Sequence, residues 1–328
     1  MQTQEDQVRV GIIGCGGRAG EHMRALSTNP GARIVGVADV VEAAAQRAGE
    51  RLGVPWYRDH RLLLERDDVD ALWISVPVFA HGGIELDTIA RGLPFFVEKP
   101  VARELDTARE IARALDRAGL WASVGYQLRY LPWIRGVRDV VASSTLAIAE
   151  GHYWCGTGRQ DHWVADWERS GGQLVEQATH TIDLLRFFGG DVDEVWAVHA
   201  HRVLHNISSP DAHAVAMRLR SGAPATLSAS WAHDPGEWKE TNVLHLVLDG
   251  MLVRVDAAGA AVTPADRAQV PEVHGPDIYN AFLAAVRSKD PAAAGVLSPY
   301  RDAAATLAVS LAANTSGETG QPVRVPQI

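Results

Sequence analysis

Apolar runs and helical patterns alternate along the first third of this 328-residue chain. Each strand-like apolar run is followed by a segment whose apolar positions have the spacing of an amphipathic helix. Strands separated by helices predict βαβ units, and therefore a parallel sheet with right-handed crossovers. The predicted strands are residues 8–13, 34–38, 69–76, 93–97 and 121–125, and the predicted helices include 41–52 and 104–118.

From about residue 145 the pattern changes to apolar runs that are separated only by turns. This succession is typical of a largely antiparallel sheet. We therefore predict an N-terminal Rossmann domain, a doubly wound parallel α/β sheet, over residues 1–124. Residues 125–328 are predicted to form an α+β domain with a large, open, mostly antiparallel sheet, whose last helix is a candidate to pack back on the Rossmann domain.

A glycine-rich turn follows the first predicted strand and opens the first helix. Gly14 permits the tight turn, Gly16 lets a pyrophosphate approach the backbone, and Ala19 is small enough for close packing of helix and strand. The helix N-terminus offers N–H groups and a positive dipole end to the phosphates. Asp39, after the second strand, would accept hydrogen bonds from a ribose 2′-hydroxyl and repel a 2′-phosphate. The pattern predicts NAD binding, with NADP less favoured.

A lysine stands where the sheet would present it to a ligand. Glu98, Lys99 and Pro100 directly follow the predicted strand 93–97. Ligands of an open parallel sheet lie outside the carboxyl ends of its strands, so we expect Lys99 to point into the cofactor crevice. Taken alone, the position is more typical of a solvated loop charge, because most lysines lie at the surface.

A third group of candidate residues lies in a helix predicted within residues 171–185. At about 100° per residue, Glu176, His180 and Asp183 form one stripe opposite an apolar face. A carboxylate–imidazole–carboxylate row can fix one imidazole tautomer and raise its basicity, as proton abstraction from an alcohol requires. The stripe is also consistent with the solvent face of an amphipathic helix that has no function.

Taken together, the three patterns resemble the Gfo/Idh/MocA oxidoreductases. The resemblance rests on the glycine turn, on the Glu-Lys-Pro turn at 98–100, and on the helix pattern Gly-Gly-x-Leu-x-(Asp/Glu)-x-x-x-His-x-x-Asp. Three further segments, residues 77–81, 125–130 and 312–320, are similar to other motifs of that family, so the resemblance covers nearly the whole chain.

The resemblance implies an enzyme that oxidises a secondary alcohol of a sugar, sugar derivative or cyclitol, or reduces the matching ketone. It implies that His180 accepts the proton, that Lys99 stabilises the reacting oxygen, and that Glu176 orients His180. The expected cofactor-binding residues are Gly14, Gly16, Arg18, Ala19, Asp39, Val76, Pro77, His81, Glu98, Lys99 and Gln127. The expected substrate-binding residues are Lys99, Tyr126, Arg129, Trp154, His162, Trp163, Glu176, Thr179, His180 and Asp183.

Several alternatives stay open. Glu176 stands where inositol dehydrogenases have Asp, Val76 replaces a threonine and Gln127 an asparagine, which weakens the transfer of any named substrate. The tryptophans among the substrate residues are equally consistent with core or interface positions. Two other functions also remain: a redox-neutral glycosidase that uses bound NAD transiently, and a non-catalytic sugar or nucleotide sensor.

Composition limits the partners and the location. The net charge of −9, without a long Lys/Arg cluster, argues against nucleic acid, and no apolar run is long enough to span a membrane. Two cysteines and no apolar signal segment predict a cytoplasmic location. No metal is expected, because the spacing of His152, Cys155 and His162 matches no zinc pattern. The resemblance implies a homodimer or homotetramer formed through the C-terminal sheet.

Overall fold

The computed structural model describes residues 7–156, 162–233 and 242–328. Up to residue 125, strands and helices alternate as predicted, but a short strand at residues 56–57 and a short helix at residues 60–64 were not predicted. The strands are β1 (Val8–Ile13), β2 (Ala32–Ala38), β3 (Trp56–Tyr57), β4 (Ala71–Ile74), β5 (Phe95–Val97) and β6 (Ala122–Val124). The helices are α1 (Gly17–Thr28), α2 (Glu42–Leu52), α3 (His60–Leu64), α4 (Gly83–Ala90) and α5 (Leu105–Ala118).

The rest of the chain has more strands than helices. Its strands are β7 (Leu146–Trp154), β8 (Val192–Ala200), β9 (Ala212–Leu219), β10 (Pro224–Ser230), β11 (Asn242–Leu248), β12 (Met251–Asp256), β13 (Gly259–Thr263) and β14 (Val323–Arg324). Its helices are α6 (Pro132–Ala142), α7 (Trp167–Ser170), α8 (Gln173–Glu176), α9 (Thr179–Gly189), α10 (Ile278–Ser288) and α11 (Tyr300–Thr319). None of the helices in the described ranges combines the length and apolarity that crossing a membrane requires.

The strands form two sheets of different type. The first has six strands in the order β3-β2-β1-β4-β5-β6, and all its pairs are parallel. The second has eight strands in the order β13-β12-β11-β7-β10-β9-β8-β14, and only the β7–β10 pair among its described pairs is parallel. The predicted fold class, a Rossmann domain followed by a mostly antiparallel α+β domain, is confirmed.

Each of the two compact units is built from two stretches of chain. The first contains residues 1–125 and 276–301, and the second contains 126–275 and 302–328. The chain passes from the first unit to the second between residues 125 and 126, one residue from the predicted boundary. The prediction did not include the return of residues 276–301 to the first unit. Most of α11, the last helix, belongs to the second unit.

The returning segment completes the core of the first unit. Helix α10 brings Tyr279 and Phe282 against Trp73 of β4, whose ring also stacks on Phe96 of β5 with centroids 3.8 Å apart. Trp73, Phe96 and Phe282 are fully buried. Aromatic rings of this size contribute much of the burial energy of a core, so this face of the sheet depends on residues 276–301.

Helix α9 packs on one face of the second sheet, and the strand pattern explains why. Along β9 buried and exposed residues alternate, which leaves one face apolar for the helix layer. In β7, a Cβ at Gly151 would lie 2.5 Å from Cγ2 of Thr181, so α9 approaches this strand where it has no side chain. The closeness of the helix therefore depends on glycine at this position.

That apolar face holds two histidines, of which His213 is buried and His199 half-buried. His199 and His213 are paired across β8 and β9, with ring centroids 4.6 Å apart. Burial lowers the pKa of His199 to about 4. Burial, together with the neighbouring His199, lowers the pKa of His213 to about 3. Both rings are therefore neutral in the folded protein, whereas the unfolded chain protonates them near pH 6.5.

We expect this pair to make the fold acid-sensitive. The contribution of these neutral rings to the free energy of unfolding is fully present above about pH 6.5. It declines as the pH falls toward 3, because in that range only the unfolded chain takes up the protons. For His213 alone the loss between pH 8 and pH 5 is about 2 kcal/mol. In urea unfolding at the two pH values, His213→Leu should lower that difference, while His274→Leu, at an exposed histidine, should not. An unchanged pH dependence in His213→Leu would contradict the assignment.

Candidate functional site

The turns after β1, β2, β4 and β5 lie at one edge of the parallel sheet. These turns carry Gly14, Asp39, Pro77 and Lys99, respectively. Because parallel strands share one direction, their carboxyl ends meet at the same edge. The strand order reverses between β1 and β4, and this switch point is where open α/β sheets bind ligands.

The turn after β1 has the geometry of a phosphate-binding loop. Gly14 has φ +95°, and a Cβ there would lie 2.1 Å from the carbonyl oxygen of Ser75, so only glycine fits. Cβ atoms at Gly16 and Gly17 would meet nothing within 4 Å, which leaves the backbone approachable. Gly16 is the N-cap of α1 and provides no side-chain cap, so the first-turn N–H groups can bind phosphate oxygens. These residues fit a dinucleotide.

Asp39 is held in place by the backbone of the same turn. Its Oδ2 accepts a hydrogen bond from the N–H of Cys15 at 2.7 Å, and its Oδ1 accepts one from the N–H of Val41 at 2.8 Å. Burial, reinforced by the charge of Asp39, raises the pKa of the Cys15 thiol to about 12. Each carboxylate oxygen retains a lone pair that can accept a ribose hydroxyl.

We expect Asp39 to set the preference for NAD over NADP. Asp39→Asn keeps an acceptor for Cys15 but loses the charge that repels a 2′-phosphate, so NADPH binding should strengthen. Asp39→Ala also loses the ribose acceptor, and NADH binding should weaken by about tenfold to a hundredfold. Fluorescence titration with both nucleotides measures the ratio of dissociation constants. An unchanged ratio in both variants would show that Asp39 does not read the ribose.

The turn after β4 holds a buried imidazole. Val76 and Pro77 are half-buried, and His81 Nδ1 lies 2.6 Å from Oε1 of Glu85. The other oxygen of Glu85 accepts the N–H of Gly82 at 2.7 Å. The carboxylate of Glu85 also accepts the Gly82 N–H, so Nδ1 of His81 is the donor in their hydrogen bond. The buried Nε2 has no hydrogen-bond partner within the described residues, so a hydroxyl of a bound nucleotide could bond to it.

The turn after β5 places Lys99 beside a buried acid. Glu98 is 5% exposed, and its Oε2 accepts the backbone N–H of Lys99 at 3.0 Å. Lys99 itself is half-buried. Arg18, the predicted phosphate-loop residue, is directed to the same acid, with its Nε 3.0 Å from Oε1. The structure therefore brings Gly14, Gly16, Arg18, Ala19, Asp39, Val76, Pro77, Glu98 and Lys99 to one region of the first unit.

In the second unit, the helix predicted within residues 171–185 is interrupted. Helix α8 ends at Glu176 and α9 begins at Thr179. The prediction of one continuous stripe is wrong, because Gln177 leaves helical geometry with φ −121° and ψ −53°. Its side-chain oxygen instead accepts hydrogen bonds from Trp231 Nε1 and from Cys155 Sγ, the latter at 2.9 Å. Glu176 and His180 lie in different helices, so helical spacing does not place them on one face.

His180 lies in the first turn of α9 and is 8% exposed. The ring of Tyr126 stands perpendicular to the imidazole, with centroids 5.9 Å apart. Tyr126 Oη lies 2.8 Å from Oγ1 of Thr179, and burial raises the pKa of this tyrosine. Three of the predicted substrate residues, Tyr126, Thr179 and His180, are thus neighbours.

Asp183 and Arg129 form a buried ion pair. Asp183 is 1% exposed and accepts two hydrogen bonds from Arg129, at 2.7 Å from Nε and 2.5 Å from Nη2. Asp302 forms ion pairs with both Arg129 and Arg186. Its Oδ2 lies 2.6 Å from Nη1 of Arg129, and its Oδ1 lies 3.0 Å from Nη2 of Arg186. Burial opposes ionisation of Asp302, but the two arginines outweigh it and hold the pKa of its carboxyl below its usual value. The face of α9 that carries His180 and Asp183 is therefore not exposed to solvent. The substrate role of Arg129 and Asp183 stays a prediction.

The remaining predicted residues lie in several places. Glu176 is half-buried, and its charge, after burial and the charge of Cys155, contributes to the raised pKa of the half-buried Tyr153. Gln127, in the second unit, is half-buried, and its Oε1 has no hydrogen-bond partner in the described part of the chain. Trp154 stacks on His152 on the face of β7 opposite Gly151, and α9 packs against Gly151. His162 is exposed beside Trp163.

Two ranges of the chain match the two domains of one protein family. Residues 8–126 match its "Oxidoreductase family, NAD-binding Rossmann fold", and residues 144–245 match its "GFO/IDH/MocA C-terminal domain". Together the matches cover about two thirds of the chain. The chain belongs to the Gfo/Idh/MocA oxidoreductase family. The predicted family and the predicted NAD-binding domain are confirmed.

Relatives of this Gfo/Idh/MocA chain include two inositol dehydrogenases. It is 28% identical over 207 residues to scyllo-inositol 2-dehydrogenase (NAD(+)) of Bacillus subtilis, covering 62% of this chain and 59% of that protein. It is 31% identical over 203 residues to inositol 2-dehydrogenase of Rubrobacter xylanophilus, covering 60% and 56%. The match therefore spans less than two thirds of either relative.

A solved structure shares the fold over the full length. The WlbA dehydrogenase of Bordetella pertussis, determined in complex with NADH and UDP-GlcNAcA, superposes with a TM-score of 0.84 at 22% identity. The similarity covers 98% of this Gfo/Idh/MocA chain and 100% of that structure. At this identity the comparison supports the fold alone.

Sequence reasoning missed three polar residues that the structure places beside the predicted ones. His22 and Tyr279 extend the contacts of Glu98, and Glu85 holds His81. His22 lies on the buried face of α1, where a polar residue is unusual, and this was a usable signal. Tyr279 had none, because its contact joins positions 257 residues apart.

Proposed function

We propose that this chain is an NAD(H)-dependent oxidoreductase acting on a CH–OH group of a sugar, sugar derivative or cyclitol. Hydride would move between nicotinamide C4 and a secondary alcohol or its ketone. The observation that carries the proposal is that Lys99 lies at the same carboxyl edge of the sheet as the glycine turn and Asp39. Membership of a family with inositol dehydrogenase relatives supports the substrate class.

The chain's own residues would handle the proton and the charge. His180 would take the hydroxyl proton, and the ammonium of Lys99 would stabilise negative charge on the reacting oxygen. Glu176 would orient His180 and the substrate hydroxyls. Tyr126, packed edge-on against His180, covers one side of the imidazole. Bound NAD would supply the hydride acceptor.

The first test is reduced-nicotinamide absorbance with excess NAD and a panel of sugars, inositols, sugar acids and glycosides. A steady rise with one class of compound would support the proposal and identify that class. NAD binding without any rise would contradict net oxidation. Product analysis of the glycoside samples would then separate the redox-neutral glycosidase, which releases sugar, from the sensor, which releases nothing.

We also propose that the chain assembles through the outer face of its second sheet. Trp196 and Val198 are 49% and 50% exposed there, and Trp154 and Ile148 on β7 share the face. Exposed apolar patches of this kind mark association surfaces, and a second copy is the partner that the family resemblance implies. In sedimentation experiments, Trp196→Lys should shift the protein toward monomer, whereas Leu62→Lys, at an apolar residue of α3 in the first unit that is 48% exposed, should not.

A further inference from the structure

One buried carboxylate joins three parts of the predicted cofactor site. Oε1 of Glu98 lies 3.0 Å from Arg18 Nε and 2.7 Å from His22 Nε2, and its Oε2 accepts the backbone N–H of Lys99 at 3.0 Å. Arg18 lies in the first turn of α1, directly after the glycine turn, and His22 lies one turn further along the same helix. Glu98 thus connects the phosphate-binding turn with Lys99.

The direction of the hydrogen bond between His22 and Glu98 can be assigned. Burial would raise the pKa of Glu98, but the hydrogen bond from His22 and the charges of His22, Arg18 and Lys99 lower it to about 2. The ionised acid only accepts, so His22 Nε2 carries a proton and donates. Tyr279 Oη, 3.0 Å from Nδ1, completes the contacts of the imidazole. With His22 only 2% exposed, the ring has little room to turn away.

The chain leaves a fitted space for this carboxylate. A Cβ at Gly125 would lie 2.6 Å from Oε2 of Glu98, so the residue after β6 has to be glycine for the acid to occupy its position. The N–H of Gly125 is bonded to the carbonyl of Val97 at 3.0 Å. The acid is therefore confined by backbone on one side and by His22 and Arg18 on the other.

We propose that Glu98 is a shared anchor for the phosphate-binding turn and Lys99, and that His22 is the positioning residue that holds it. This inference rests on the proposed function for the part that concerns Lys99. Without His22, Oε1 of Glu98 retains only Arg18 among the residues that the structure describes, and Arg18 is partly exposed and also bonded to Glu21 at 2.5 Å. The carboxylate and the Lys99 backbone can then shift.

The test compares His22→Leu with His22→Gln, whose side-chain amide can replace the Nε2 donor. At saturating nucleotide, His22→Leu should lower kcat by about tenfold to a hundredfold, as expected when a catalytic group is displaced by about 1 Å. His22→Gln should recover most of that loss. Leu26→Ala, a buried apolar change on the same helix, should lower the melting temperature without lowering kcat more than about twofold.

The same substitution in a Lys99→Met protein distinguishes positioning of Lys99 from a general loss of structure. In Lys99→Met, adding His22→Leu should reduce kcat no further, because the group that His22 positions is already absent. Equal fractional losses in both backgrounds, or a loss of kcat in Leu26→Ala that matches His22→Leu, would overturn the proposal.

Nucleotide binding keeps the anchor testable if no substrate is turned over. His22→Leu should then raise the dissociation constant of NADH about fivefold through the phosphate-binding turn, and His22→Gln should not. Absence of turnover by the wild-type protein would count against the proposed function alone. An unchanged NADH dissociation constant in His22→Leu would count against the anchor.

Discussion

Replacement of either Lys99 or His180 should lower turnover by at least about a hundredfold without loss of NAD binding. Lys99→Met removes the charge that would stabilise the reacting oxygen, and His180→Gln removes the proton acceptor while leaving a polar side chain. The two groups lie in different compact units, so a common folding defect would not explain parallel losses.

The measurement is kcat at saturating substrate and nucleotide, together with a fluorescence titration of NADH. Lys289→Met and His274→Gln are matched controls, because both change the same residue types outside the predicted site. Their kcat should stay within about twofold of the wild-type value. If either site variant retained more than a tenth of the wild-type kcat, the assigned role of that residue would be wrong.

Arg129→Met should destabilise the second unit by about 3–5 kcal/mol. The change keeps the volume of the side chain but leaves Asp183, which is 1% exposed, without its two-pronged partner, and removes one of the two arginines that face Asp302. Arg129→Lys should have an intermediate effect, since an ammonium retains the charge but not the fork of N–H donors.

Urea unfolding followed by tryptophan fluorescence measures the effect. Arg218→Met, which breaks the exposed pair with Glu194 in the same unit, is the control and should cost less than about 1 kcal/mol. Adding Asp183→Asn to Arg129→Met should recover part of the stability, because the buried charge that lacked its arginine partner is then removed. An Arg129→Met variant no less stable than Arg218→Met would show that the network carries no net stability.

The Rossmann half was predictable because its information is local. Each strand is a short apolar run, the glycine turn follows one of them, and Asp39 and Lys99 follow two others. In a parallel sheet these sequence positions imply a shared edge. The same reasoning could not find residues 276–301, because no motif marks a segment that joins a core formed by residues far earlier in the chain.

The interruption after Glu176 shows where local patterns stop being informative. Helical spacing predicted a continuous helix, and Gln177 has no strong preference against one. Its side-chain oxygen is instead taken by Trp231, 54 residues later in the chain, and by Cys155. Asp183 is a similar case, because its partner Arg129 is also 54 residues away. The conformation of Gln177 and the burial of Asp183 both depend on partners far away in the chain. A local pattern of residues holds no information about such partners.

The returning segment also affects how the protein is made. The 150 residues 126–275 are synthesised before the segment that contains helix α10 begins. At roughly 5–20 residues per second this interval lasts about 8–30 s, during which Trp73 and Phe96 have no cover from α10. Exposed apolar surface of this kind is prone to aggregation, so we expect the nascent chain to bind chaperones. The nucleotide-binding half is completed only after most of the other half has been translated.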